Sequence, residues 1–224
     1  MARLEALPKI LNRDPSDGKY KAFVFDLDGT LYDQKKLRKI MALRLVGYYI
    51  FHPFRIRELM VLKTFREVRD NWTDDGDNVD AKQYEAVGSK HHVAPSVVEE
   101  VVKRWIYDDP LSVLPKCADQ KLADYIRSLQ NQHIPVFIFS DYPIEEKLKA
   151  LGITADGMYA PGDERKIALK PSPMGLKLIL SDHGLDPKEV LMVGDRDVKD
   201  GEAARGAGVD YVILPRSVSK RQYQ

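Results

Sequence analysis

The run from Phe23 to Asp33 constrains the fold more than any other part of the chain. Phe23, Val24 and Phe25 are apolar at consecutive positions, so both faces of this short segment call for burial. That pattern predicts a central strand of a parallel sheet, covered by helices on both sides. The strand ends in two acids one residue apart, Asp26 and Asp28, followed by Gly29 and Thr30. Residues i and i+2 of a strand point the same way, so the two carboxylates converge on one small volume. Keeping both ionised beside a buried sheet requires compensation by a cation or a shared proton.

Further apolar runs predict strands at 134–139, near 157–160, at 189–193 and at 209–214. Helical patterns at about 116–131, 143–151, 172–183 and 198–207 alternate with them. Strand alternating with helix predicts right-handed βαβ units and a Rossmann-like, three-layer α/β/α parallel sheet. Between about 34 and 111 the strand signal vanishes. Leu37, Ile40, Met41, Leu45 and Tyr48 form a helical stripe that His52-Pro53 interrupts, and further helices are expected at 54–70, 79–90 and 95–107. The expected division is a core of 1–33 and 112–224 and an inserted all-helical module of 34–111. A short helix at 4–11 and a frayed basic tail at 216–224 complete the expectation. The apolar Leu43 to Phe54 stretch reads as the core of the helical module. The cations around it, including Arg38, Arg44, Arg55 and Arg57, fit a solvated face, although one or two reaching the site would read an acidic substrate.

Bulk properties exclude several classes. The 35 Lys and Arg nearly cancel the 34 Asp and Glu, so no global charge argues for nucleic acid or a membrane surface. A single cysteine, Cys117, rules out an internal disulfide framework. No run approaches the roughly 18 apolar residues of a membrane span, and the first residues lack a signal-peptide core. The expectation is a cytoplasmic protein, monomeric or homodimeric, acting on a small molecule.

Ligands of open α/β sheets bind beyond the carboxyl ends of the strands. On that rim the chain gathers Asp26 and Asp28, then Ser140 and Asp141, then Lys170 before Pro171, then Asp195, Asp197 and Asp200. Hard carboxylate oxygens without His or Cys suit Mg²⁺ together with a substrate phosphate. A lysine, a hydroxyl and free backbone amides suit a phosphoryl group.

Asp26-Leu27-Asp28-Gly29-Thr30, Ser140, Lys170-Pro171 and Gly194-Asp195-Arg196-Asp197-Val198-Lys199-Asp200 resemble, in order, the four motifs of the haloacid dehalogenase superfamily. That resemblance implies a helical cap inserted between the first two motifs, where residues 34–111 lie. It implies Asp26 as a nucleophile forming an aspartyl-phosphate and Asp28 as general acid/base. Ser140 and Lys170 would hold the phosphate, with Gly29, Thr30 and Asp141 beside them. Asp26, the backbone carbonyl of Asp28 and Asp195 would bind Mg²⁺, and Asp200 would support it directly or through water. The implied activity is a Mg²⁺-dependent phosphatase of a small phosphomonoester, phosphoglycolate among the candidates. One departure is Asp141, where many relatives carry Asn; it is expected to point away or to touch the leaving group.

A phosphomutase of the β-phosphoglucomutase type would share every motif. A phosphoacceptor domain or a silent binding protein is the alternative of a different class, and the intact set of acids argues against it. Asp195 to Gly201 is not a calcium loop, because its glycine is misplaced and Lys199 occupies a ligand position. Asp197 reads as a helix-start residue, and His91-His92 as solvated surface.

Overall fold

The computed structural model describes residues 19–73, 76–162 and 165–221; the expected helix at 4–11 lies outside them. Five strands form one parallel sheet: β1 (Ala22–Phe25), β2 (Val136–Phe139), β3 (Gly157–Tyr159), β4 (Val190–Gly194) and β5 (Asp210–Ile213). Their order is β3-β2-β1-β4-β5, so the strand that carries the two acids is the centre of the sheet. It is also where the winding reverses, the position at which such sheets leave a crevice for ligands.

The alternation of β1 explains its double burial. Phe23 and Phe25 pack on one face with Leu122, Ile126 and Leu129 of helix α5 (Gln120–Asn131), whereas Ala22 and Val24 join the opposite core with Leu176, Ile179 and Ala203. In register, Phe25 faces Ile138 of β2 and Val193 of β4. The ladder continues one residue further: the Asp26 N–H donates to the Val193 carbonyl at 2.8 Å. Asp26 is thereby fixed in backbone position before its side chain makes any contact.

Between β1 and β2 the chain is helical, as the pattern predicts. Helix α1 (Gln34–Phe51) starts at Asp33, whose carboxylate accepts from the Lys36 N–H at 2.9 Å, and it stops before Pro53. Helices α2 (Glu58–Asp70), α3 (Val79–His91) and α4 (Pro95–Val102) follow. The fourth is shorter than the stripe suggests, because the chain widens into a π-turn at Lys103–Asp108. Beyond β2 come α6 (Glu145–Leu151), α7 (Met174–His183) and α8 (Glu202–Ala207).

Two expectations fail. The Leu43 to Phe54 stretch is not a continuous core: Tyr49 is buried, but Leu43, Val46, Ile50, Phe51 and Phe54 are exposed. A stripe inside so apolar a helix buries only one side of it. Nor is the tail frayed through its described part. Arg221 is buried and donates to the carbonyls of Gly29 (2.5 Å) and Thr30 (2.7 Å) and to Asp119 Oδ2 (2.8 Å). Among the described residues, no helix is long and apolar enough to cross a membrane.

Candidate active site

The ends of β1, β2 and β4 and the loop before α7 bring the sequence-predicted residues together. Asp26 is buried, with Thr30 Oγ1 donating to its Oδ2 at 2.8 Å and Lys170 Nζ to its Oδ1 at 2.5 Å. Lys170 Nζ also donates to Asp200 Oδ1 at 2.6 Å and to the Phe139 carbonyl at 3.2 Å. Burial opposes the Lys170 charge, but Asp200 and Asp26 outweigh it and hold its pKa above the ordinary value. Thr30 therefore orients Asp26 from behind, and Lys170 bridges an acid at the end of β1 and one in the helical turn after β4.

Asp200 Oδ2 accepts from the N–H groups of Asp195 (3.1 Å) and Arg196 (2.9 Å). Both of its oxygens are thus engaged by protein donors, which shapes the loop after β4. Gly194 permits this approach: a Cβ there would lie 2.4 Å from the Asp200 side chain. Gly29 has φ +98°, and a Cβ would fall 2.7 Å from Asp195 Oδ2, so both conformation and space demand glycine. The turn after β1 consequently lets Asp195 come close to the strand that carries Asp26.

Asp26, Asp195 and Asp200 each place a carboxylate oxygen within 4.8 Å of the others. Asp195 Oδ1 is buried without a hydrogen-bond partner among the described residues. Burial first, then the charges of Asp200 and Asp195, raise the pKa of Asp26 despite Lys170. Asp195 is raised too, by burial and by Asp200. Three buried carboxylates stand against Lys170 and, 3.5 Å from Asp195, Arg216, and Asp195 Oδ1 is left without a donor among the described residues. These residues fit a divalent cation with oxygen ligands.

Asp28 occupies a different environment from Asp26, although only one residue separates them. Lys147 Nζ donates to its two oxygens at 2.6 and 2.8 Å, the Tyr32 hydroxyl donates to Oδ1, and Ser140 Oγ lies 3.4 Å from Oδ2. Burial penalises the Asp28 carboxylate, but Lys147 and Tyr32 more than compensate, so its pKa is lowered. Ser140 is fully buried, and its Oγ also accepts from the Tyr142 N–H at 3.1 Å. Asp141 neither faces solvent nor stands free. Its Oδ1 accepts from the Lys170 N–H at 2.8 Å, its Oδ2 lies 3.4 Å from Arg196, and its carbonyl accepts twice from Arg69. Asp197 pairs with Arg205 near the start of α8, consistent with its reading as a helix-start residue.

Lys147, Arg69 and Arg221 escaped sequence reasoning. A signal existed for the first two. Lys147 shares a helical face with Ile144, Leu148 and Leu151, and Arg69 follows Phe65 by one turn; both are buried. A cation in a core stripe is an anomaly that can be read. Arg221, near the chain end, offers no such pattern.

Above the acids lies a cavity of about 440 Å³, walled by Asp26, Asp28, Tyr142 and Lys147 of the sheet end and by Arg38, Leu45, Arg66 and Trp105 of the helical insertion.

A family model described as haloacid dehalogenase-like hydrolase matches residues 20–208. The chain belongs to this family. It is therefore a hydrolase of the haloacid dehalogenase superfamily, and the resemblance carried by its four motifs holds. No curated protein sequence matches the hydrolase. Its fold is similar to that of the HAD-hydrolase YfnB of Bacillus subtilis bound to magnesium, at 15% identity and TM-score 0.62, covering 92% of each chain. It is also similar to a 2-haloacid dehalogenase of Pseudomonas syringae pv. Tomato (13%, TM-score 0.59, covering 87% of this chain and 86% of that one). A third likeness is to a structure from Haemophilus somnus described as a predicted phosphoglycolate phosphatase (21%, TM-score 0.56, covering 92% and 88%). At these identities the likenesses establish the fold alone.

Proposed function

We propose that the hydrolase is a Mg²⁺-dependent phosphatase of small phosphomonoesters, working through an aspartyl-phosphate on Asp26, with the helical insertion 34–111 as its cap. The observation that carries this reading is the division of labour between the two acids. Asp26 sits in the metal-fitting carboxylate group with Lys170, whereas Asp28 sits among proton-bearing groups, Lys147 and Tyr32. A dehalogenase needs no proton for its leaving halide; a phosphate ester needs one for its leaving alkoxide.

Asp26, Asp195 and the backbone carbonyl of Asp28 would hold the cation, with Asp200 shaping the loop that carries Asp195. Held there, Mg²⁺ supplies charge neutralisation for the carboxylates and the phosphoryl group. Thr30 and Lys170 aim the Asp26 carboxylate. An Asp26 oxygen attacks phosphorus while the bond to the leaving oxygen breaks, and that oxygen takes a proton from Asp28. Water then attacks the aspartyl-phosphate, Asp28 recovers a proton, and phosphate leaves. Lys147 and Tyr32 hold the Asp28 pKa low against burial; a phosphate dianion arriving beside it would raise its proton affinity, which readies it as the acid.

Phosphate release from a panel of metabolite phosphates and p-nitrophenyl phosphate tests the reading. Release is expected with Mg²⁺, to vanish with chelator, and to fall by at least about 10³-fold in Asp26→Asn, the scale on which removing a nucleophile acts. Undiminished release by Asp26→Asn would sink the nucleophile assignment, and isomerised sugar phosphate without phosphate release would favour a mutase.

A further inference from the structure

Helix α1 is apolar on two opposite sides, and the fold covers only one of them. Leu37 and Met41 turn inward and are buried, with Leu45 and Tyr48 packed beside them. Leu43, Val46 and Ile50, spaced by three and four residues, form a second stripe on the opposite side of the helix. They are 74%, 60% and 68% exposed. The stripe runs on into the end of the helix and the turn after it, where Phe51 and Phe54 are 82% and 98% exposed. A helix that is apolar on both sides is ordinarily covered on both. Exposed apolar side chains that form one patch, instead of standing singly, mark a docking surface.

The charge around the patch selects its occupant. The chain as a whole balances 35 cations against 34 acids, but residues 34–66 hold nine Lys and Arg and one acid, Glu58. Arg55 pairs with Glu58, and the acids that reach this layer from elsewhere, Asp109 and Glu100, pair with Arg44 and Arg55. Lys35 and Lys39 before the stripe and Arg57 beyond it are exposed and make no ion pair among the described residues. A second copy of this chain fits poorly, because a two-fold contact would set these cations against themselves. A nucleic acid fits poorly as well, because its phosphates would lie along the aliphatic middle of the stripe. An anionic lipid surface satisfies both parts: acyl chains cover the aliphatic stripe and the two phenyl rings, and headgroups meet the flanking cations.

We propose that the outer face of α1 and the turn Pro53–Arg55 dock the hydrolase on an anionic lipid surface. The helix lies in the plane of the headgroups, with Leu43, Val46, Ile50, Phe51 and Phe54 toward the acyl chains. From Leu43 to Ile50 the stripe is about 10 Å long, which suits lying along the interface and not crossing it. The inner side of α1, with Leu37 and Met41, stays on the wall of the cavity above the acids. Docking involves no reaction step and stands independently of the phosphatase reading.

Co-sedimentation of the full chain with vesicles tests this, using phosphatidylcholine alone and phosphatidylcholine with about 30% phosphatidylglycerol. The hydrolase is expected to partition onto the anionic vesicles at least about tenfold more strongly than onto the neutral ones. Phe51→Ser combined with Phe54→Ser should weaken that partition by about tenfold or more, because two apolar side chains leave the acyl boundary. Lys35→Gln, Lys39→Gln and Arg57→Gln together should weaken it by about 10²-fold, at about fivefold per cation, on the anionic vesicles alone. All five residues are exposed, so both variants should melt at the temperature of the unchanged protein. Phe54→Trp reads insertion directly: acyl-brominated phosphatidylcholine in the anionic vesicles should quench its emission beyond any quenching of the native Trp72 and Trp105. Partition that ignores the serine pair and gives no added quenching is electrostatic adsorption only and overturns the proposal. Absence of partition onto anionic vesicles overturns it too, and a dimer that the serine pair dissociates would then give the face to a second copy.

Discussion

Replacing Lys147 with methionine isolates what the ammonium does for Asp28. Methionine keeps an unbranched apolar stem and removes the charge. The side chains of Lys147 and Asp28 are 9% and 13% exposed, so the lost pair is nearly buried. Removing one partner of a fully buried pair costs about 3–5 kcal/mol. The Tyr32 hydroxyl and Ser140 Oγ still face Asp28, so about 2 kcal/mol at pH 8 is the expected loss. The sign of its pH dependence follows from the shifts. In the native protein the Asp28 pKa is lowered. The pair's contribution is therefore fully present above the ordinary carboxylate value, about 3.9, and is lost as pH falls through the lowered one. In the methionine variant burial dominates and raises the Asp28 pKa, so the variant's penalty exists only above that raised value. Urea unfolding at pH 8, 6.5 and 5, with chelator present, should show the stability difference shrinking toward pH 5. In an Asp28→Asn background Lys147→Met should cost much less, with a coupling above about 1 kcal/mol in the double-mutant cycle. A difference that is the same at every pH and survives in the Asp28→Asn background would refute the electrostatic argument and leave only lost packing.

Gly29→Ala is expected to destabilise the fold by about 2 kcal/mol or more and to lower phosphate release at least tenfold, because a Cβ would sit 2.7 Å from Asp195 Oδ2 at φ +98°. Thermal unfolding and release assays check it, and an unchanged melting temperature would mean that the turn relaxes freely. Arg221→Ala removes four charge-assisted hydrogen bonds, two of them to carbonyls of the turn after β1 and one to the Pro215 carbonyl, and takes one partner from buried Asp119. A loss of about 3 kcal/mol in urea unfolding is expected, and a chain ending at Lys220 should match it; an unmoved urea midpoint in both would show that the tail holds nothing.

The parallel sheet was legible because each strand is a short run buried on both faces, a pattern that surface helices do not imitate. The acids were legible because strand ends in such a sheet share one rim. What the sequence concealed depends on which face of a helix turns inward. The Glu-Glu-Lys-Leu-Lys run of α6 has the composition of a solvated surface, and only its phase against Ile144 and Leu151 sends Lys147 inward and Lys149 out to Glu145 and Glu146. The long apolar stretch of α1 fails for the opposite reason: apolar side chains on several faces supply no phase, so composition suggested core where Leu43 and Phe51 are exposed. Arg221 depends on a return of the chain across the sheet end, and no local pattern encodes that.

Asp141 brings these strands of argument together. Family resemblance favours asparagine there, and an extra acid beside a phosphate site looks unfavourable. Its carboxylate, however, has a donor on each oxygen: the Lys170 N–H on one and the Arg196 guanidinium on the other. An amide would turn its NH₂ toward one of them and lose that contact. Arg196 reaches on to Asp70 at the end of α2, and Arg69 of the same helix holds the Asp141 carbonyl. Asp141 thus links the Lys170 loop, the loop after β4 and the helical insertion at a single residue. The acid that departs from the family pattern faces Arg196 through its carboxylate while Arg69 holds its carbonyl, so Asp141 belongs to the connection between α2 and the sheet end beside Asp26.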